Sequence, residues 1–388
     1  MVYRGILATA ALGLALPKGS LAESVLLYAT SYEGNLTTLS LTGSSLVPIA
    51  STKDCGAYPS WLTLVGSTLY CADESWGKPN GTLTSFSVSQ DGGLARLDTI
   101  DTTAGPVSAV VFGTNGGGLA VPGYEGAGLN TFNITTTADI TQLQTEIFKL
   151  PHDGVNPQRQ DKPHPHQAAL DPTGRFLFVP DLGSDLVRIF SIDPRTLKTT
   201  SIAPLVALPG SGPRHLTFLK AADGKTFMYL ISELANSVTG YNVIYNNNKT
   251  LSFTQFYVNN THGTNAALPA GASAGEITLS PDNKFLIVSS RGENSETVAE
   301  FDPPASDPLI SFSVCEKTGA LKPRQTFPAG GAVPRHFSIN KQGTLVAVAL
   351  QGSARVVVIS RDPKTGNLKD IVAHATVAGQ PNCIIFKE

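Results

Sequence analysis

Charge is scarce in this sequence. Lys and Arg number 28 and Asp and Glu 30 among 388 residues, 15% in all, against about a quarter in ordinary soluble domains. The net charge is −2 and no run of Lys or Arg occurs, so the electrostatic footprint of a nucleic-acid or anionic-membrane binder is missing and neither partner is expected. No stretch reaches 18 uninterrupted apolar residues, which leaves no candidate membrane-spanning helix. There are 4 cysteines, none in a CxxC pair, and no HxxxH or DxD spacing. Without such a ligand pattern no metal and no other cofactor is expected. His164 and His166 would share a face of an extended segment and could both ligate, but Pro165 stands between them. Serines are scattered through candidate strands and mark no nucleophile. The run Gly116-Gly117-Gly118 lacks the Lys and Ser/Thr of a phosphate-binding loop and reads as a hairpin turn.

Turn chemistry, by contrast, is abundant. The 37 glycines and 26 prolines give the profile of many short strands rather than helices. Before them stands MVYRGILATAALGLALPKGSLAES, in which Arg4 precedes an apolar run from Ile6 to Leu16, followed by the small residues Ser20 and Ala22. This is the pattern of a secretory signal peptide over residues 1–22, cut between Ala22 and Glu23. Sequons at Asn35, Asn80, Asn133, Asn248 and Asn259 agree with that route and are candidate glycosylation sites. In an oxidising compartment Cys55, Cys71, Cys315 and Cys383 can form up to two disulfides, in any of three connectivities. A secreted monomer is expected.

One unit returns along the whole mature chain: a turn with Pro, an apolar strand, a Gly or Asn turn, a second strand, and a third carrying an aromatic. The openings YPSW, GPVS, HPHQ, GPRH, AGEI, VPRH and QPNC place Pro59, Pro106, Pro165, Pro213, Ala274, Pro334 and Pro381 in one slot, spaced 47 to 61 residues apart. The seventh copy stops after one strand, and the segments SVLLYATSY and NLTTLSL at the mature N-terminus supply its missing strands. Seven near-equal β units with a permuted closing copy predict an all-β, seven-bladed β-propeller over residues 23–388 as one domain. Tandem sandwiches would not need the permutation.

In a blade the first strand lies nearest the axis and the second runs antiparallel beside it, so the start of one and the end of the other meet at one face. That geometry turns equivalent positions into a cluster. After the Pro slot come His166, Arg214 and His215, Glu276, and Arg335 and His336; at second-strand ends come Tyr124, Glu233, Arg291 and Gln351, with His164 just before Pro165. Mutual salt bridging alone would explain some of this. Imidazoles, guanidiniums and carboxylates converging on a concavity also suit proton transfer on a small anionic or oxyanion-forming substrate. His166 is the first candidate for general acid or base. Arg214, Arg291 and Arg335 are candidates to clamp a carboxylate or stabilise developing charge. Glu233 could be a second acid or base or could orient an Arg. The remaining residues, His164, His215, Glu276, His336, Tyr124 and Gln351, are candidates for substrate binding.

The motifs HPHQAALDPTGRFLFVPDLGSD, GPRHLTFLKAADGKTFMYLISELANSV, AGEITLSPDNKFLIVSSRGE and PRHFSINKQGTLVAVALQGSARVVVISRDPKTGNL resemble the lactonase seven-bladed propeller family. That family includes 6-phosphogluconolactonase-type enzymes and the fungal carboxy-cis,cis-muconate cyclase. The resemblance implies chemistry at a lactone, opening or closing the ring, with His166, Arg214, Glu233 and Arg291 in the family's catalytic positions. A signal peptide does not suit an enzyme of intracellular metabolites, so a different substrate is expected. Similar propellers also serve as natural-product cyclases, including hetero-Diels-Alder catalysts. A non-catalytic secreted binding propeller is the remaining alternative.

Overall fold

The computed structural model describes residues 24–136, 139–247 and 250–388. The expected signal peptide at 1–22 and the sequon at Asn248 lie outside the described residues. The repeat is realised as seven four-stranded antiparallel sheets. Blade 1 begins at Pro59–Val65 and ends at Leu94–Thr103, blade 2 runs from Val110–Phe112 to Thr141–Ile147, and blade 3 from Ala169–Leu170 to Thr199–Val206. Blade 4 runs from Pro213–Lys220 to Leu251–Asn260, blade 5 from Ser273–Leu279 to Leu321–Pro328, and blade 6 from Pro334–Ile339 to Leu368–Thr376. Blade 7 is permuted as expected: its first strand is Pro381–Phe386, followed in the sheet by Val25–Ser31, Leu36–Thr42 and Ser45–Thr52. Pairing of Leu27 with Phe386 and Ala29 with Ile384 closes the ring and covers two strand edges.

The core is a ring of seven clusters, each sandwiched between two neighbouring blades. Period-two alternation produces it. In Phe176–Asp181, Phe176 and Phe178 pack toward blade 4 while Leu177 and Val179 pack toward blade 2. Both faces of such a strand are buried, so its sequence reads as an unbroken apolar run. The fourth strand of each blade lies outermost and was not marked by the sequence pattern. Leu94–Thr103, for example, is exposed at half of its positions and mixes Leu94, Ala95, Leu97 and Ile100 with polar residues. A two-stranded excursion, Glu296–Thr297 with Ala305–Ser306, lengthens blade 5. Among the described residues no helix is long and apolar enough to cross a membrane.

Of the possible disulfides, one forms, between Cys55 and Cys71. It ties the segment entering blade 1 to that blade's second strand. Cys315, on an exposed hairpin, and Cys383, buried in the first strand of blade 7, are free, so one of the up to two possible bridges is present.

Candidate functional site at the channel mouth

A single backbone hydrogen bond recurs at the mouth of the channel. The N–H of the residue just past the second strand donates to the carbonyl of the residue before the Pro slot, as in Glu74 to Tyr58, Tyr124 to Gly105, Leu182 to His164, Glu233 to Gly212, Gln351 to Val333 and Tyr32 to Gln380. Gly105 and Gly212 take φ values of +67° and +63° there. A side chain at Gly105 would also sit 2.8 Å from the Glu125 amide nitrogen, so glycine is required. Val333 fills the same place in blade 6 with φ 57°, a strained conformation for a β-branched residue. Buried Asp307 holds it, accepting from Val333 N at 2.7 Å and from the amides of Gly292, Glu293 and Asn294, which follow Arg291. Asp181 likewise accepts from the His164 amide at 2.7 Å.

Immediately after the Pro slot the strand register slips. Pro213 pairs with Ser232 but His215 with Ile231, and the same shift separates Pro59 from Trp61 and Pro334 from His336. Ser60, Arg214 and Arg335 are therefore bulge residues. In a regular strand Arg214 and His215 would point to opposite faces; the bulge re-aims them. Both reach the channel, with Arg214 Nη1 3.4 Å from His215 Nε2.

The outer part of the mouth is a cavity of about 230 Å³ lined by Tyr32, Glu74, Tyr124, Arg159, His166, Glu233, Arg291 and Arg335, with Trp76, Val107 and Glu125. A separate hollow of about 630 Å³, which shares Glu74, Trp76 and Glu125 with it, bears Lys78 and Lys162. A hollow of similar size around Arg175 and Arg195 on blade 3 lies apart from this constellation. Glu233 anchors the cations. Its Oε1 accepts from Arg159 Nη2 at 2.6 Å, and its Oε2 from Arg214 Nε at 2.9 Å, with Arg291 Nη2 at 3.0 Å. Burial opposes ionisation of Glu233, but Arg291, Arg214 and Arg159 outweigh it and hold the carboxyl well below its usual range. Burial and the nearby Arg291 pull the Arg214 guanidinium down to about 9. Arg335 is less committed: its nearest carboxylate is Glu74 Oε1 at 3.7 Å, and Glu74 already accepts from Tyr32 Oη at 2.6 Å and Trp76 Nε1 at 2.7 Å.

Deeper along the axis the lining narrows to a chamber of about 10 Å³ among Ser60, Trp61, His215, Glu276, His336 and Asn382, which His166, Arg214 and Arg335 also border. His166 Nδ1 lies 3.1 Å from His215 Nε2, and His215 Nδ1 lies 2.8 Å from Glu276 Oε1. Burial, then Arg214, His215 and Arg335, hold His166 well below the ordinary histidine value, and His336 falls to about 4, chiefly through burial. A neutral imidazole therefore sits among guanidiniums.

The structure thus gathers His166, Arg214, Glu233, Arg291, Arg335, Tyr124, His215, Glu276 and His336 around one axis. Two predicted residues fall outside. Gln351 lies in a short 3₁₀ turn and bonds Gln380 at 3.1 Å, because the blade-6 turn directs it away from the cavity lining. His164 stacks on Tyr124 with centroids 4.2 Å apart and contacts Asp161 at 3.0 Å; it backs Tyr124 instead of lining the cavity. Tyr32, Trp76 and Arg159 were missed. Tyr32 occupies in permuted blade 7 the place of Glu233 in blade 4, so extending the repeat comparison to that blade would have found it. Arg159 comes from the 148–168 connection, which no repeat position marks. The pentapeptide Gly271–Gly275 has the G-x-S-x-G spacing, but Ser273 begins a propeller strand and not the strand-to-helix turn of a nucleophile elbow.

Comparison with known proteins agrees with this geometry. The family description "Lactonase, 7-bladed beta-propeller" matches residues 26–386. A protein of Arthroderma benhamiae named "Probable 6-phosphogluconolactonase" is 34% identical over 84% of this chain and 79% of its own length. The 6-phosphogluconolactonase of Formosa agariphila is 30% identical over 83% of this chain and 86% of its own. Among solved structures, the periplasmic gluconolactonase of Pseudomonas aeruginosa superposes with a TM-score of 0.76 at 26% identity, covering 94% of this chain and 99% of that one. The chain belongs to the lactonase seven-bladed β-propeller family.

Proposed function

We propose that the protein is an exported lactonase that opens the ring of a small, hydroxylated lactone. The observation that carries the reading is a neutral, buried His166 lining the same cavity as Arg291 and the lightly paired Arg335. In the forward step His166 takes a proton from water as the oxygen adds to the lactone carbonyl carbon. Arg335, with Arg291, faces the oxyanion that forms. The ring C–O bond then breaks and its oxygen recovers the proton from His166, giving the hydroxy acid. Glu233 stays ionised throughout, keeping three guanidiniums in place instead of exchanging protons. The charged lining supports a polar substrate over an apolar natural-product intermediate. Export is supported by the residue 1–22 pattern and by the Cys55–Cys71 bridge, which needs an oxidising compartment. The relative named as a periplasmic gluconolactonase is consistent with such a location.

The test is acid release from glucono-1,5-lactone, its 6-phosphate and a five-membered aldonolactone, each compared with spontaneous opening. Acceleration of at least one, lost by about 10²-fold or more in His166→Ala and weakened in Arg335→Ala, supports the reading. Failure of the wild type to accelerate any lactone overturns it, and full activity in both variants removes these residues from the mechanism.

A further inference from the structure

The deep end of the channel contains groups that the proposed reaction does not use. Glu276 and His215 are both buried, and neither lines the outer cavity. Their hydrogen bonds run in one direction. Glu276 Oε1 already accepts the Ile277 N–H at 2.9 Å, and an ionised carboxylate has only acceptors. The 2.8 Å contact to His215 Nδ1 therefore requires the proton on Nδ1. Burial lowers the His215 pKa, with Glu276 opposing, so the ring is neutral and its Nε2 is bare. Arg214 Nη1, which can only donate, approaches that same Nε2 at 3.4 Å. His166 Nδ1 stands 3.1 Å from it, a distance at which two facing lone pairs would repel. The other side of Glu276 is consistent: His336 Nδ1 accepts the Ile384 N–H at 3.2 Å, so its protonated Nε2 is the nitrogen that lies 3.7 Å from Glu276 Oε2.

We infer that Glu276 and His215 are positioning residues which, through two successive hydrogen bonds, hold His166 in the tautomer protonated on Nδ1 and bare on Nε2. That nitrogen lies on the far side of the ring from His215 and has no hydrogen-bond partner among the described residues. It is the atom able to take a proton from water. The inference deepens the reading of His166 as the base and rests on it for its catalytic consequence, but the tautomer itself is independent of substrate. An imidazole orienter of this kind resembles the outer partners that fix metal-bound histidines, whose loss costs about 10- to 100-fold.

Histidine-selective ¹⁵N labelling of the full chain tests it, with His166 signals identified by their loss in His166→Gln. At neutral pH the expected spectrum has a protonated Nδ1 and a bare Nε2 at His166. A proton on Nε2 overturns the inference, and the tautomer is read on the wild-type chain. In His215→Phe the preference should vanish and kcat should fall about 10- to 100-fold with KM little changed, while His215→Gln, whose carbonyl can accept the Nδ1 proton, should recover most of the rate. Unchanged kcat and pH profile in His215→Phe also overturns it. If the tautomer is as expected but the wild type opens no lactone, the positioning inference stands and the lactonase reading fails.

Discussion

Arg214, in the first strand of blade 4, and Glu233, just past the second, are both buried and are joined by a 2.9 Å hydrogen bond from Nε to Oε2. The bond depends on the bulge after Pro213, which turns Arg214 into the channel, and on the backbone bond from Glu233 N to Gly212 O at 2.7 Å, which fixes the carboxylate opposite it. Blade geometry and site electrostatics are thus one arrangement.

Removing the carboxylate should be costly. In Glu233→Gln, Arg214 stays buried beside Arg291 and Arg159 with no anion among them, and loss of one partner from a buried ion pair costs about 3–5 kcal/mol. Denaturant unfolding should show a drop of that order. Wild-type stability would mean that solvent or another group neutralises the cluster.

Activity should persist into mild acid. The competent form of His166 is neutral and prevails above its pKa, which burial and the neighbouring cations hold well below 6.5. The rate of ring opening, corrected for spontaneous hydrolysis, should therefore be flat through neutrality and fall only well below pH 6.5. A descending limb centred at 6.5 or higher would contradict the assignment of the base.

Stability should decline in acid for the same reason. His336 titrates at about 4 in the folded state against 6.5 as its ordinary value, so below 6.5 the unfolded chain binds the extra proton first. Stability falls as pH drops through this window, by about 3 kcal/mol for His336 alone once pH has passed 4. Glu276, lowered to about 2 because contacts with His215, His336 and Arg214 outweigh its burial, adds a second loss that begins below its ordinary value of 4.5. Unfolding midpoints measured from pH 7 to pH 3 check both; a flat profile would mean that the buried imidazoles are charged in the folded protein.

The Cys55–Cys71 bridge closes a loop with a sequence separation of 16, and the chain-entropy relation gives about 3 kcal/mol for such a loop. Reduction, or Cys55→Ala, should lower the thermal midpoint accordingly. Alkylation of the unfolded, unreduced chain should modify Cys315 and Cys383 alone. Four reactive thiols without reductant would show that the bridge does not form.

How much of this was legible in the sequence follows from where each residue sits. The Pro openings and the apolar second strands repeat because every blade meets the same neighbours, so seven units, their order and the permuted closure could be read from spacing. The outer strands could not, since strands such as Leu94–Thr103 face solvent and need no apolar signature. Equivalent repeat positions also brought His166, Arg214, Glu233, Arg291 and Arg335 into one predicted cluster. Local turns decided which members face the cavity, and they sent Gln351 aside.

Sequence alone determined the propeller and the inventory of imidazoles, guanidiniums and carboxylates at its mouth, because periodic burial leaves a periodic trace. Tertiary structure decided the roles. Arg159 reaches Glu233 from a connection 74 positions away, and His215 stands between His166 and Glu276, 49 and 61 positions distant. Such contacts set charge and proton placement through distance in space, and no spacing along the chain encodes them.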